Sequence, residues 1–373
     1  MKIRKMLFQD PYYYIPKHAP YKPINSAQRQ AGFSFIKAVV EGRYRLETLE
    51  KCLCGNDEVE ILATYDRFLF PQTILICPRC GLLMNSPRLD NESYGLYCSS
   101  DLQSITQGGY DDHLSEIPKF AKRNPYPAKI LNLFEKSKIE TKDDWDILDI
   151  GAGNGDLLYH FQQLGFKNLH GIEPDKSACL AAEKYGIKVD AIFIDDFIPV
   201  KRYDLVIMVN VFNHLNTPLD ALNKICNQVL KPGGFLYIGQ HGPLNMKESV
   251  WTRSIFRVLL VGHPYNYCIA TLNMVVRSTG FKCLSCNESV EALYQVDLRN
   301  ELKIEPDPNA YRNLLKKLEY DNTLRGKIWF KVLKRTYRYW FPVWCKAIEF
   351  TKMSGLYSII RRPWRMFLKI FKP

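Results

Sequence analysis

Nowhere does the sequence carry an apolar run of the length that spans a bilayer. No residue between Arg257 and Arg277 is charged, yet Gly262, His263, Pro264, Asn266 and Asn273 make that stretch too polar for a lipid-spanning helix. Met1 to Ile15 has basic residues at Lys2, Arg4 and Lys5 but no apolar core for a signal peptide, so secretion is not expected. The cytoplasm is the expected compartment. The eleven cysteines are then thiols in a reducing environment, where a cluster among them holds metal rather than forming disulfides. An excess of positive charge is also missing from most of the chain. Of 51 basic and 39 acidic residues, 13 basic ones and the single acid Glu349 fall within 325–373, which leaves 38 of each elsewhere. The whole net charge of +12 therefore belongs to the last 49 residues.

What is present is enough for a folded protein of two or three units in 373 residues, with 46% apolar and 13% aromatic content. Trp145 to Asn154 reads WDILDIGAGN, an apolar strand that runs into a glycine loop at Gly151, Gly153 and Gly155. Helical spacing follows over Leu157 to Leu164. Strand, glycine loop and helix together make a nucleotide-binding turn, because glycine lets the backbone turn sharply and approach a ligand closely. A dinucleotide fingerprint would place its third glycine at 156, where this chain has Asp156, so the loop suits a ligand without pyrophosphate.

Further strands are predicted at Asn168 to Ile172, near Ile192 to Ile194, at Tyr203 to Val209 and at Phe235 to Gly239. A helix is predicted over Pro218 to Leu230, before the turn Lys231-Pro232-Gly233-Gly234. Alternating strand and helix implies a doubly wound parallel sheet. Glu173, which ends the second strand, stands where a carboxylate accepts hydrogen bonds from both hydroxyls of a ribose. Asp195, Asp196 and Phe197, after the third strand, are candidates to bind an adenine amino group and pack on its ring.

LDIGAGNGDLL, GIEP, YDLVIMVNVFNHL and LKPGGFLYI, in that order, resemble the successive motifs of class I S-adenosylmethionine-dependent methyltransferases over roughly residues 125–300. The resemblance implies an α/β fold, a doubly wound Rossmann-like sheet closed by an antiparallel pair, here Phe281 to Ser285 and Ala292 to Val296. It also implies S-adenosylmethionine as cofactor. Asp149 would face its cationic amino-acid end, and Asn210, just past the fourth strand, joins the cofactor set.

Cys52-x-Cys54-Gly55 and Cys77-x-x-Cys80-Gly81 form two short turns, with strands expected between them at Ile61 to Phe70 and Gln72 to Ile76. Brought together by a hairpin, the turns could give zinc four thiolates, as in a zinc ribbon. CPRCGLLMNSPRLD resembles the segment that precedes the methyltransferase domain in a subgroup that modifies sugars and cell-surface glycans. Where that subgroup has C-x-x-C in the first turn, this chain has C-x-C, which sets Cys52 apart from the other three. In the same subgroup the following stretch, here Tyr94 to Tyr110, covers the cofactor, so Tyr97 and Tyr110 are either lid residues or packing. Cys283-x-x-Cys286 lies in a predicted strand and is not read as a metal site.

Methyl transfer to a hydroxyl is an in-line displacement that needs alignment and a base. His214 follows the fourth strand and His241 the fifth, where ligands gather in an open parallel sheet. His263 lies in GHPYNY, which resembles an H-x-x-x-F/Y-S stretch of the glycan-modifying relatives. Each is a candidate base, and each is open to a purely structural reading. Asn213 stands where the family commonly has Glu, which weakens a metal-dependent mechanism.

The segment 325–373 adds Trp329, Trp340, Trp344 and Trp364 to its basic residues, with Pro342 and Pro363 dividing helical segments. Lying on an anionic membrane, packing as core and binding RNA are the competing readings. The expected organisation is a leader over 1–48, a ribbon-like module over 49–100, a methyltransferase domain over 120–300 and a basic aromatic helical tail over 310–373. The expected protein is cytoplasmic, peripheral on the inner membrane face, and O-methylates a sugar of a glycan or glycolipid. An RNA methyltransferase and a non-catalytic module in a glycan-assembly complex are the alternatives.

Overall fold

The computed structural model describes residues 1–6, 26–67, 70–101, 105, 124–244, 258–298 and 304–322. Residues 1–317 form one compact unit, and 318–373 group separately. Tyr110 and the segment 325–373 lie outside the described residues. Among those described, no helix is long and apolar enough to cross a membrane.

The chain opens with β1 (Lys2–Met6), α1 (Ser26–Val40), β2 (Leu46–Glu47), β3 (Glu58–Tyr65), β4 (Pro71–Ile76), β5 (Leu83–Asn85), β6 (Arg88–Leu89) and α2 (Asn91–Ser100). The β3–β4 hairpin sets Glu60 opposite Ile76 and places the two cysteine turns at one end. α2 starts where Asp90 supplies a side-chain oxygen to the Ser93 N–H at 2.8 Å, meeting one of the donors that a helix start leaves open.

Then come α3 (Tyr126–Lys136), β7 (Asp146–Ile150), α4 (Asp156–Gln163), β8 (Asn168–Ile172), α5 (Lys176–Glu183), β9 (Val189–Asp190) and β10 (Tyr203–Val209). A 3₁₀ turn at Phe212–His214 leads to α6 (Pro218–Lys224), which runs through a π turn at Ile225–Val229 into β11 (Leu230–Gly239). β12 (Tyr265–Asn266), α7 (Ile269–Arg277), β13 (Phe281–Asn287), β14 (Glu291–Val296) and α8 (Ala310–Asn322) complete the described elements.

The large sheet has the order β13-β14-β11-β10-β7-β8-β9. Its β7 to β11 strands are parallel, and β14 runs antiparallel to both β11 and β13, as expected for a Rossmann-like sheet closed by an antiparallel pair. The third strand of the parallel set lies earlier than Ile192 to Ile194, because only Val189–Asp190 reach pairing distance of β8. Alternation along the strands sorts the core. Ile147, Leu205 and Ile207 pack with Ile130 and Phe134 of α3 and Phe161 of α4. Leu148, Val206, Met208 and Leu236 face the opposite side, in one cluster with Leu272 and Val275 of α7 and with Leu82 and Met84.

The small sheet, β1-β3-β4-β5-β12, draws on both ends of this sequence order. β1 pairs parallel with β3, and β12 pairs antiparallel with β5, Asn266 opposite Leu83. The Asn85 amide donates to the Leu260 carbonyl at 2.9 Å, and its backbone N–H donates to Pro264 at the same distance. The chain thus leaves the large sheet after β11, adds a strand to the small one, and returns through α7.

Candidate functional site

The glycine loop sits at the carboxyl end of β7. Gly151, Gly153 and Gly155 have φ of 72°, 54° and 77°, in the left-handed region that side chains avoid. A Cβ on Gly151 would come 2.3 Å from Val211, whereas one on Gly153 would meet nothing within 4 Å, so the loop is open at its middle glycine. The Glu173 carboxylate is pinned beside it, accepting the Gly153 N–H at 3.0 Å and the Asp175 N–H at 3.1 Å. Asp149 is 3% exposed, and burial, reinforced by the Glu173 charge, pushes its carboxyl well above the usual range. Two acids thus stand together where a cation would relieve both. Asn210 also has a positive φ of 57°, and its N–H bonds the Gly239 carbonyl at 2.7 Å, tying the loop after β10 to the end of β11.

The predicted adenine contacts separate. Asp195 and Asp196 are exposed, while Phe197 is buried in the core with its ring 5.9 Å from His170. The nearby aromatic that meets α2 is Phe193, whose ring lies 3.9 Å from where a Cβ on Gly95 of that helix would stand. Nothing in the sequence separated Phe193 from Phe197, because the strand before them is only two residues long.

Tyr97 is wholly buried in an aromatic cluster, its ring 5.5 Å from Phe35 and 6.0 Å from Tyr94. The residues that α2 turns toward the large sheet are its neighbours. Burial, with the Glu173 charge adding to it, pushes the Cys98 thiol up to about 12. The Tyr94 hydroxyl donates to the Gly262 carbonyl at 2.7 Å and lies 3.2 Å from His214 Nδ1. The i, i+4 spacing of Tyr94 and Cys98 is the signal that could have found them.

His214 and His263 are brought together and His241 is not. The first two rings meet edge to face with centroids 4.6 Å apart. His214 Nδ1 lies 2.9 Å from the Gly262 carbonyl and His263 Nδ1 2.9 Å from the Val258 carbonyl. A carbonyl only accepts, so both Nδ1 atoms carry the proton and both Nε2 atoms keep a lone pair. Burial lowers the His214 value to about 4 and holds His263 well below the ordinary range. His241 is exposed just past the end of β11.

Among the described residues, the fold also buries polar atoms that have no hydrogen-bond partner, and these include Asn213 Oδ1, Gln240 Oε1 and Nε2, Asn266 Nδ2 and the Tyr267 hydroxyl. Asn266 Oδ1 lies 3.3 Å from His263 Nδ1.

Cys52, Cys54, Cys77 and Cys80 are all buried, and their Sγ atoms lie within 4.8 Å of one another. Cys52 stands 3.6 Å from Cys80, and Cys54 3.6 Å from Cys77. Four thiolates about 2.3 Å from a central zinc would stand about 3.8 Å apart in a tetrahedron, so the donor set fits that ion. Cys52 is an equal member despite its shortened turn. The Asn56 amide donates toward Cys77 Sγ at 3.5 Å and Arg79 donates to the Cys54 carbonyl at 3.1 Å, bracing the two turns against each other.

Residues 148–236 match the family model described as a methyltransferase domain. A curated relative, tRNA U34 carboxymethyltransferase from Cellvibrio japonicus, is 33% identical over 102 residues, covering 25% of this chain and 31% of its own length. The chain thus spans about a third of that relative. Among solved structures, an S-adenosylmethionine-dependent methyltransferase from Mesorhizobium loti is similar at 13% identity and a TM-score of 0.38, covering 47% of this chain and 99% of that one. The plantazolicin methyltransferase in complex with SAH is similar at 16% identity and a TM-score of 0.41, covering 55% and 94%. The chain carries a methyltransferase domain.

Proposed function

We propose that the protein transfers a methyl group from S-adenosylmethionine to a sugar hydroxyl of a glycan or glycolipid. The observation that carries this reading is the pair of neutral imidazoles at His214 and His263, each with Nδ1 committed to a carbonyl. An alcohol becomes a better nucleophile as its proton leaves, and a fixed neutral Nε2 is the group that takes it. The cofactor supplies a methyl on a sulfonium, activated for displacement. Asp149 and Glu173 hold its cationic and ribose ends against the glycine loop. Phe193 and α2, with Cys98, cover that place and exclude water. The cysteine cluster holds zinc in a structural role, since all four donors are protein thiols and none is left for a substrate.

Mass spectrometry of glycolipids from cells with and without the protein tests the reading. The expected result is a species lighter by one CH2 in the cells that lack it. Identical glycolipid profiles would overturn it.

A second reading, RNA methylation, draws on the name of the Cellvibrio japonicus relative and on the basic, tryptophan-bearing segment 325–373. A steep loss of RNA affinity with added salt would favour it.

A further inference from the structure

Buried polar groups are ordinarily paired, because leaving one unmade forfeits its bond to water without replacement. Among the described residues, Asn213, Gln240, Asn266 and Tyr267, at 6%, 3%, 2% and 0% exposure, each carry a side-chain atom that breaks that rule.

They come from three separate segments that pack against one another. Asn213 precedes His214 in the turn after β10, and Gln240 follows β11, its N–H bonded to the Val290 carbonyl at 3.1 Å. Tyr267 and Asn266 arrive with β12. The Tyr267 ring lies 5.0 Å from that of Phe212, the neighbour of Asn213. A Cβ on Gly242 would stand 2.9 Å from the Tyr267 carbonyl, which sets the Gln240 to Gly242 step against it. Asn266 touches His263, whose ring meets His214.

We propose that Asn213, Gln240, Asn266 and Tyr267 form the acceptor subsite, and that it takes an uncharged ligand rich in hydroxyls. The four side chains carry no formal charge. They offer two carbonyl oxygens, two amide nitrogens and a phenol, an inventory that matches groups able both to donate and to accept, as sugar hydroxyls do. A phosphate or carboxylate would find only neutral donors among them and two carbonyl acceptors that repel it. The inference rests on the glycan reading above and gives that acceptor its contacts.

The test exploits a sign that a structural role would reverse. Replacing an unpartnered buried polar group by an apolar one of similar shape removes a desolvation penalty from the free protein but a hydrogen bond from the complex. Asn213→Leu, Gln240→Leu and Tyr267→Phe, each in the full chain, should therefore melt at the same temperature as the wild type or higher by about 2–4 °C. Cofactor affinity by calorimetry should not change. Transfer of labelled methyl from S-adenosylmethionine to a glycolipid extract of cells lacking the protein should fall about 10- to 100-fold, through a raised half-saturating extract concentration. A Tm several degrees lower in all three variants would show the groups to be held by internal water and would overturn the subsite. So would undiminished transfer. A wild-type protein that labels no glycolipid overturns the sugar reading itself, and that result is visible before any variant is compared.

Discussion

His214 and His263 stand edge to face, 4.6 Å between ring centroids, with each Nδ1 turned away to its own carbonyl. Protonating either ring would set a charge against the other in a buried place, and each would have to give up a neutral tautomer already satisfied. The pair is therefore held neutral.

Activity should persist on the acid side well below the range of a free histidine. The His214 value drops from 6.5 to about 4 through burial. A base depressed in the folded state adds stability above its unfolded value, and that contribution is lost as pH falls from 6.5 toward 4. Tm should decline across that window by the equivalent of roughly 1–3 kcal/mol, and His214→Gln should flatten the decline. An acid limb of the rate profile at an ordinary histidine value would remove this pair from the chemistry.

Glu173→Ala should weaken S-adenosylmethionine binding by about 1–3 kcal/mol, read by calorimetry, through loss of the ribose hydrogen bonds. Asp149 separates binding from stability. Its folded value is raised above 3.8 by burial and Glu173, so stability falls as pH rises through the window above 3.8. Asp149→Asn should raise Tm at neutral pH and still weaken cofactor binding. A lowered Tm would mean that the buried carboxylate is compensated within the protein.

Purified protein should contain about one zinc per chain. Chelation should lower Tm, and Ser at Cys54, Cys77 or Cys80 should abolish retention of the metal. Because Cys52 stands 3.6 Å from Cys80 inside the same cluster, Cys52→Ser should do the same. Full zinc in that variant would leave three thiolates and an outside ligand.

Cys286 should be the first described thiol to react with iodoacetamide. It is exposed, and the hydrogen bond from Cys283 lowers its value to about 6. A register shift between Cys283 and Ser285 puts Cys283 opposite Tyr294 and Cys286 opposite Ala292, so both thiols share a face of the strand. Cys283→Ala should move the midpoint of the labelling profile to higher pH. An unmoved midpoint would show that the Asn273 amide alone sets it.

We expect the segment 325–373 to bring the protein to anionic membranes, since basic residues near such a surface contribute about 1 kcal/mol each and tryptophan inserts shallowly. Deleting it should release the protein from liposomes containing anionic lipid and leave cofactor binding intact. Unfolding of the truncated protein would assign the segment to core packing. A full-length protein that never binds liposomes would make RNA the next partner to test.

Legibility followed the range of the signals. The glycine loop, Glu173 and the cysteine turns are local patterns, in which the spacing of a few residues forces one backbone path, and the structure places them where that spacing implied. Tyr97 and Phe197 depended instead on which way an element rolls in its packing. One helical step separates Tyr97 from Cys98, and one short turn separates Phe197 from Phe193. β12 is two residues long in a stretch that reads as loop, and its partner β5 lies some 180 positions earlier, so no periodicity could announce it.

That late strand also fixes an order of assembly. Until Tyr265 and Asn266 have left the ribosome, β5 is a bare edge of the small sheet, and the Asn85 amide waits for a carbonyl 175 residues downstream. The nascent cysteine module can gather its metal early, yet one flank stays open to pairing with foreign strands while five strands of the larger sheet are being made. A chain cut anywhere before β12 keeps that open flank permanently, so fragments of this protein should be sticky even when each of their motifs is whole.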